Sequence, residues 1–512
     1  MNQIKDRLLL DRCHLRSCQP PYSLEWRAAL LLAFTLLLLG SAAHIARAAP
    51  ANQGNQPPQP AVLPTPTVVL PEPDLARQLG AIEPLLPSLY LGTLLFPTLP
   101  QLIGLYEPQR YLLVVQNSDE LRATGGFISA LGVLTLDQGQ LAGLDFVDSY
   151  RLYRADQTYP PAPAPMDQFM GIPYLLFRDA NWSPDFPTTA TLLRAIYQQE
   201  TGTTIAGIVT VDLHALALIV GALAPLQMPN APEPLTGANV LAQVKAMWAQ
   251  PEEGETITDV GLGQWWGQRK NFIPALAGAV MEKLRSGGID YTAMALAVEQ
   301  ALNERSIQIW LADKAAAAQL AALGWDGGLQ VPKQSDYLGL IDTNMGYNKA
   351  NAAIERALAY TVTWPTDSTA PATATVTIDY RHPLTVPDHT CDLTPRYGED
   401  YQDLVERCFF NYVRLYVPLG STLVATEGLQ ADSVRSTRGE AGTQVFAGYF
   451  ILPPGEATRV RFQYQLPAAL TPTTYRLLVQ RQAGSGPLPL RLTIGDAQTT
   501  TTLRMNTLRW PP

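Results

Sequence analysis

From Tyr111 onward the apolar residues fall into short blocks that switch between strand and helix spacing. Tyr111-Leu112-Leu113-Val114-Val115 is an almost unbroken apolar run, the mark of a strand covered on both faces. FISALGVLTLDQGQLAGLDFVDS follows from Phe127 and predicts two strands around the turn Asp137-Gln138-Gly139-Gln140. Between Thr188 and Thr201 the apolar positions Leu192, Leu193, Ile196 and Tyr197 keep helical spacing. Ile205 to Val211 is a second buried strand, and Leu213 to Leu223 a helix that stops before Pro225. Residues 236–323 are mostly helical, with a helix near Tyr291 to Glu304 and a strand at Ile307 to Leu311. Leu338 to Asp342 is a further strand candidate. Alternation of strand and helix predicts an α/β domain, with helices covering a sheet, over residues 74–357.

Near residue 358 the helical runs stop. Short alternating strands such as ATATVTIDY, FFNYVRLYVPLG and ATRVRFQYQLP take over, parted by turn signals. That spacing predicts an all-β sandwich domain over residues 358–512.

The amino-terminal end has a different pattern. Ala28 to Ala43 carries no charge and, with its flanks, predicts one transmembrane helix over residues 28–47. Residues 1–27 form a cytoplasmic head with more bases than acids, which places the carboxyl-terminal domains outside the membrane. A cleaved signal peptide ending at Ala46-Arg47-Ala48 is the rival reading. Residues 48–73 are a Pro-rich linker that would hold the folded part off the membrane.

Charge sharpens this topology. The whole chain carries 36 Lys plus Arg against 45 Asp plus Glu, a net −9. The first 49 residues hold six bases and three acids, so the exported remainder carries −12. Nucleic acid is excluded as a partner, because its binding needs basic stripes. Only seven of the bases are Lys, so an anion site in the exported part falls to local Arg clusters. Cys391 and Cys408, in the exported part, predict a disulfide worth about 3 kcal/mol. Cys13 and Cys18 lie in the head, where thiols stay reduced.

Standard catalytic signatures are absent: no G-x-S-x-G, P-loop, H-E-x-x-H or dinucleotide fingerprint occurs. The exported part has three histidines, His214, His382 and His389, too few for an obvious His-based triad. Polar constellations interrupt the apolar text instead. Asn117, Asp119, Glu120, Arg122, Gly125 and Gly126 sit between two strands, where α/β ligand sites collect and Arg122 could grip a phosphate. A tight turn with Arg122 paired to Asp119 or Glu120 is the competing reading. Asp148 and Arg151, followed by Arg154, form a second group, which an exposed salt bridge would equally explain. Arg178, Asp179, Asn181 and Asp185 form a third, suited to a cation or a sugar, although Asp185 also fits a helix cap. Asp342, Asn344, Asn348 and Lys349 make a weaker fourth.

YLLVVQNSDELRATGGFISALGVLTLDQG, RDANWSPDFPTTA and DTNMGYNKAN resemble the bacterial family called domain of unknown function 4012, over about residues 80–500. That resemblance implies an envelope protein of no settled activity. The order strand, N-x-D-x-x-x-R, strand, turn, strand, D-x-x-R, with GTTIAGIVTVDLHALALIVGALAPLQMP later, is more distantly similar to the LytR-CpsA-Psr family. This second resemblance implies a membrane anchor and an α/β domain with an apolar slot for a polyprenyl chain. It also implies arginines and acids that hold a pyrophosphate and Mg²⁺ while a glycopolymer moves to the cell wall. On that pattern Arg122, Arg151 and Asp148 take the catalytic positions. Asn117, Asp119, Gly125, Gly126, Arg178, Asp179, Asn181 and Asp185 surround the ligand. Asn117 replaces an acid of that family, Gly125-Gly126 replaces its Asp-Thr region, and Arg151 lacks the flanking Ile-Pro and Asp. The expectation is therefore a membrane-anchored envelope protein that binds a polyprenyl-phosphate-linked glycan. Transfer of that glycan to the cell wall and a non-catalytic binding or structural role both remain open.

Overall fold

The computed structural model describes residues 97–228, 231–247, 272–367, 370–393 and 401–511, with Gly92 and Leu95 ahead of them. The predicted head, transmembrane helix and Pro-rich linker lie outside the described residues. Among the described residues no helix is long and apolar enough to cross a membrane.

The first layer is a five-stranded sheet of order β3-β2-β1-β4-β5. Its strands are β1 (Gln109–Asn117), β2 (Phe127–Asp137), β3 (Gln140–Asp148), β4 (Gly207–Val211) and β5 (Ile307–Leu311). β1 lies in the middle, antiparallel to β2 and parallel to β4. The β2–β3 hairpin closes through Gln138 at φ 49° and Gly139 at φ 76°, with Asp137 opposite Gln140. Two consecutive positive φ values twist a two-residue turn to match the strands, and Gly supplies the second cheaply.

Helices cover both faces. On one side α2 (Phe186–Thr201) packs Phe186, Ala190, Leu193 and Ile196 against Leu112, Val114 and Ile208. Asp185 caps it and Gly202, at φ 71°, ends it. On the other side lie α3 (Leu213–Leu223), α4 (Val240–Met247), α5 (Phe272–Ser286), α6 (Tyr291–Asn303) and α7 (Lys314–Leu323). The short α1 (Ala164–Met170) sits in the loop between β3 and α2. Asp212, Asp290 and Asp313 cap α3, α6 and α7 through side-chain oxygens. This half is an α/β domain, as the alternation predicts.

The β-rich half is two six-stranded sheets. Its strands include β6 (Asp336–Asn344), β7 (Glu355–Thr363), β8 (Thr373–Arg381), β9 (Phe409–Pro418), β10 (Thr422–Glu427), β11 (Arg435–Arg438), β12 (Thr443–Leu452), β13 (Ala457–Gln465), β14 (Leu477–Gln480), β15 (Leu488–Ile494), β16 (Ala497–Leu503) and β17 (Thr507–Trp510). One sheet runs β10-β13-β8-β7-β15-β16 and the other β11-β12-β9-β6-β14-β17. Tyr360, Val376, Phe446, Phe462 and Leu492 are among the side chains of their shared core.

One boundary moves. The strand assigned from sequence to the α/β half is β6, which pairs with β9 and β14 inside the sandwich. The sandwich therefore begins near Asp336 rather than at residue 358. All nine residues of β6 are buried, so no alternation marks it as a sandwich strand.

Cys391 and Cys408 form a disulfide with Cα atoms 5.4 Å apart, next to the buried start of β9. The thiol groups so joined are not available to the nearby His389 as metal ligands.

Asp336 lies in the sandwich interior and, among the described residues, has no ion-pair partner. Its Oδ2 accepts from the hydroxyls of Tyr360 and Tyr475, each at 2.5 Å, and its Oδ1 from the Tyr337 amide at 2.7 Å. Burial pushes its carboxyl up to about 6, and burial does the same to Asp212. Both folded values stand above the unfolded carboxylate value of about 3.9, so the folded state binds these protons more tightly. Their stabilising share is complete below about pH 4 and is lost as pH rises through about 6. Thermal unfolding followed from pH 4 to pH 7 should show a falling midpoint, and Asp336→Asn should make that fall shallower.

Candidate functional site

β1 is the central strand, and central strands are normally covered on both faces. Its two faces differ here. Leu112 and Val114, toward α2, are 0% exposed. Leu113, Val115 and Asn117, toward α3, α4 and α5, are only half-buried. The difference is a cavity of about 1040 Å³ between the sheet and these helices. Small-molecule sites run from roughly 300 to 1,000 Å³. Leu113, Val115, Val211, Leu216, Ile219 and Val280 are typical of its wall, which is largely apolar. Tyr111 stands at one end, its hydroxyl donating to the Leu102 carbonyl at 2.5 Å.

The polar groups collect at the carboxyl ends of β1 and β4, where open α/β sheets bind ligands. Among the described residues three cations line this mouth: Arg178, Lys245 and Lys349. Each meets an acid. Lys245 Nζ lies 2.6 Å from Asp119 Oδ2 and 5.4 Å from the Tyr401 ring centre. Tyr401 donates its hydroxyl to the same Asp119 oxygen at 2.8 Å and receives Asn117 Nδ2 at 3.0 Å. Lys349 Nζ lies 2.5 Å from Glu120 Oε2, whose other oxygen takes Arg122 Nη2 at 3.0 Å. Arg178 Nε lies 3.4 Å from Asp179 Oδ2, and its guanidinium stands 4.5 Å from the Tyr150 ring centre.

Burial sets the electrostatics. Desolvation raises the Asp179 carboxyl, with Arg178 and Arg122 pulling the other way. The Tyr347 hydroxyl, also at the mouth, is pushed up to about 12 by burial first and by the Asp179 charge second. Among the described residues the mouth thus holds four cations, counting Arg122, against the four acids Asp119, Glu120, Asp179 and Asp212, and burial raises the last two.

The sequence candidates divide by place. Asn117, Arg178 and Asp179 line the cavity, and Asp119 pairs at its mouth. Arg122 does not line it. This side chain is 2% exposed and lies behind Glu120, with Nη1 donating to the Asn344 carbonyl. Its pairing with Glu120 is the competing turn reading drawn from the sequence. Gly125, Gly126 and Asn181 form a buried knot under β1. Asn181 Nδ2 reaches Gln116 Oε1 at 3.1 Å, Thr124 Oγ1 at 3.1 Å and the Gly126 carbonyl at 2.8 Å. Gly126 holds φ +151°, and a Cβ there would stand 2.2 Å from the Asn117 carbonyl oxygen.

Asp185 caps α2 and accepts the Leu329 amide at 3.0 Å, away from the cavity. Asp148 caps the turn Ser149–Arg151 by accepting the Tyr150 amide. Arg151 is exposed at the end of that turn. Asp342 is buried in the sandwich, held by Arg356, Tyr380 and Asn411. Sequence reasoning missed Lys245, Tyr347 and Tyr401. One signal was present for the first: Lys is rare in this chain, and two of the seven stand at the mouth.

Magnesium takes oxygen ligands in near-octahedral array and needs carboxylates free to turn toward it. Asp119, Glu120 and Asp179 are each held by a cation, and Asp212, the cavity carboxylate with no ion pair among the described residues, is tied to the Ala215 amide as the cap of α3.

Residues 106–247 match the family described as Protein of unknown function (DUF4012). No curated protein matches the chain in sequence. Among solved structures, the Lin1025 protein of Listeria innocua is similar at 12% identity, covering 45% of this chain and 85% of that one, with a TM-score of 0.24. A mutant M1 zinc metallopeptidase of Deinococcus radiodurans, bound to a Tyr-Ser-Ala substrate, is similar at 15% identity. That match covers 31% of this chain and 38% of the other, with a TM-score of 0.16.

The contrast between the two arginines is measurable. Arg122→Ala strips partners from Glu120 and the Asn344 carbonyl in a buried setting and should cost about 3–5 kcal/mol. Arg151→Ala, on the surface, should stay within about 0.5 kcal/mol. Urea unfolding of both variants checks this.

Proposed function

We propose that the protein is a cell-envelope protein, anchored by residues 28–47 with its two folded domains outside the membrane, and that it binds a polyprenyl-phosphate-linked glycan. The isoprenoid chain lies in the apolar slot and the phosphate at the mouth. One observation carries this reading: a largely apolar cavity of about 1040 Å³ ends in a cluster of Arg178, Lys245 and Lys349. Apolar length with a cationic end complements a long hydrocarbon bearing an anion. The Cys391–Cys408 disulfide supports an oxidising compartment.

Holding the lipid is favoured over transferring the glycan to a cell-wall polymer. Transfer by the distantly similar family's chemistry calls for a metal ion, and the acids of this mouth are engaged by Lys and Arg or, for Asp212, by the amide it caps. A bound phosphate would instead compete with Asp119 for Lys245, the most exposed of the three cations at 32%.

Mass spectrometry of the detergent-extracted protein should find a polyprenyl phosphate or its glycan-linked form. Lys245→Ala should weaken binding of polyprenyl monophosphate by roughly ten- to a hundredfold. Leu216→Trp, which fills the slot, should abolish retention while leaving thermal unfolding near that of the parent. A chelator should leave binding unchanged. Absence of any co-purified lipid, together with no binding of added polyprenyl phosphate, would refute the proposal.

A further inference from the structure

The cavity does not end at the cationic mouth. It continues along the outer edge of β3 into the loop that joins β3 to α2, where its lining becomes aromatic. Tyr150, Tyr153 and Tyr174 line this extension and are 38%, 52% and 55% exposed. Large exposed rings gathered in one groove cost solubility, and such patches mark binding surfaces.

The groove is held open by its own framework. Tyr153 stacks on Tyr159 with ring centres 5.7 Å apart and planes 22° from parallel. Tyr159 is buried and donates its hydroxyl to Glu200 on α2. The far wall is tied by backbone bonds: Ala162 donates to Pro173 at 2.9 Å, and Leu175 to Pro160 at 2.9 Å, with Pro161 bridging Tyr174. Arg178 belongs to both regions, since it lines the mouth and stands over the Tyr150 ring. Gln157 and Thr158 supply hydrogen-bonding side chains in the same stretch.

We infer that this tyrosine groove is a carbohydrate subsite, which receives the first sugars attached to the lipid phosphate. The inference rests on the reading of the slot and mouth given above. The chemistry of the lining selects this ligand. The face of an aromatic ring is electronegative, and the C–H face of a pyranose presents the complementary partial charge. Tyr brings a rigid face and a polar rim at low entropic cost. A second isoprenoid chain would want continuous aliphatic walls, as the slot has; in the groove Ile172, Pro173 and Leu176 are interleaved with Tyr150, Tyr153 and Tyr174 and the polar Gln157 and Thr158. Position agrees: a sugar esterified to a phosphate at Arg178 can go only outward, and the tyrosines are next in line.

The test compares two lipids on the full-length protein in detergent: a polyprenyl pyrophosphate, and the same lipid bearing a disaccharide. The parent should bind the glycosylated lipid roughly tenfold more tightly. Tyr153→Ala and Tyr174→Ala should erase that preference while leaving affinity for the sugar-free lipid unchanged. Tyr153→Phe, which keeps the ring, should retain it. Binding of the sugar-free lipid with no gain from the sugar, or a preference that survives both alanine variants, overturns the subsite and leaves the lipid site standing. Failure of both lipids to bind the parent overturns the lipid site and the subsite with it.

Discussion

Asp119, Glu120 and Arg122 lie in one buried loop directly after the central strand, and the rest of the molecule is arranged so that this loop can exist. A buried charge without a partner costs several kcal/mol. The loop cannot satisfy itself, because only Arg122 and Glu120 pair within it. Lys245 of α4 reaches Asp119 from the same half, and the remaining partners come from the sandwich side: Lys349 for Glu120, Tyr401 for Asp119, the Asn344 carbonyl for Arg122, and Asn351 for the Leu121 amide. Gln482 reaches the Arg122 carbonyl at 3.2 Å, and the Asn344 amide donates to the Leu121 carbonyl at 3.0 Å. The two domains are therefore joined through polar groups that neither could bury alone.

That joint explains why the cavity can stay open. Leu113, Val115 and Val211 face partly empty space in the middle of a sheet, where close packing would add stability. Filling the slot would be the cheaper fold. What keeps the helices α3, α4 and α5 from settling onto the sheet is that other contacts place them: α3 packs on α6, and Lys245 of α4 is drawn to Asp119. The same ion pair that dresses the mouth thus helps to set the width of the slot behind it.

Local elements were legible from the chain because they depend on neighbours in sequence. Leu213–Leu223 and Ile307–Leu311 match their predicted bounds, as do the turn at Gln138-Gly139 and the cap at Asp185. Long-range partnership was not legible. Tyr401 meets Asp119 across 282 residues, and nothing around either residue signals the other. β6 was visible as a strand, but its membership was not, since a strand buried on both faces looks the same in either domain. Arg122 misleads for a related reason. An Arg beside two glycines after a strand has the form of a phosphate ligand, yet an acid two residues away takes it once both are buried.

Burial also orders the mouth. Lys349 is 8% exposed and Glu120 7%, so that pair stays closed and acts as a fixed source of field, backed by Arg122. Arg178 at 24% and Lys245 at 32% can exchange their acids for an incoming anion with less desolvation cost. In a domain whose overall charge repels anions, such an arrangement avoids carrying bare positive charge while no ligand is bound. On the proposed reading selectivity follows from it: a ligand must offer enough negative charge to displace a carboxylate and enough apolar length to fill the slot. Either property alone is insufficient, because the anion without the chain gains nothing over Asp119, and the chain without the anion leaves Lys245 where it was.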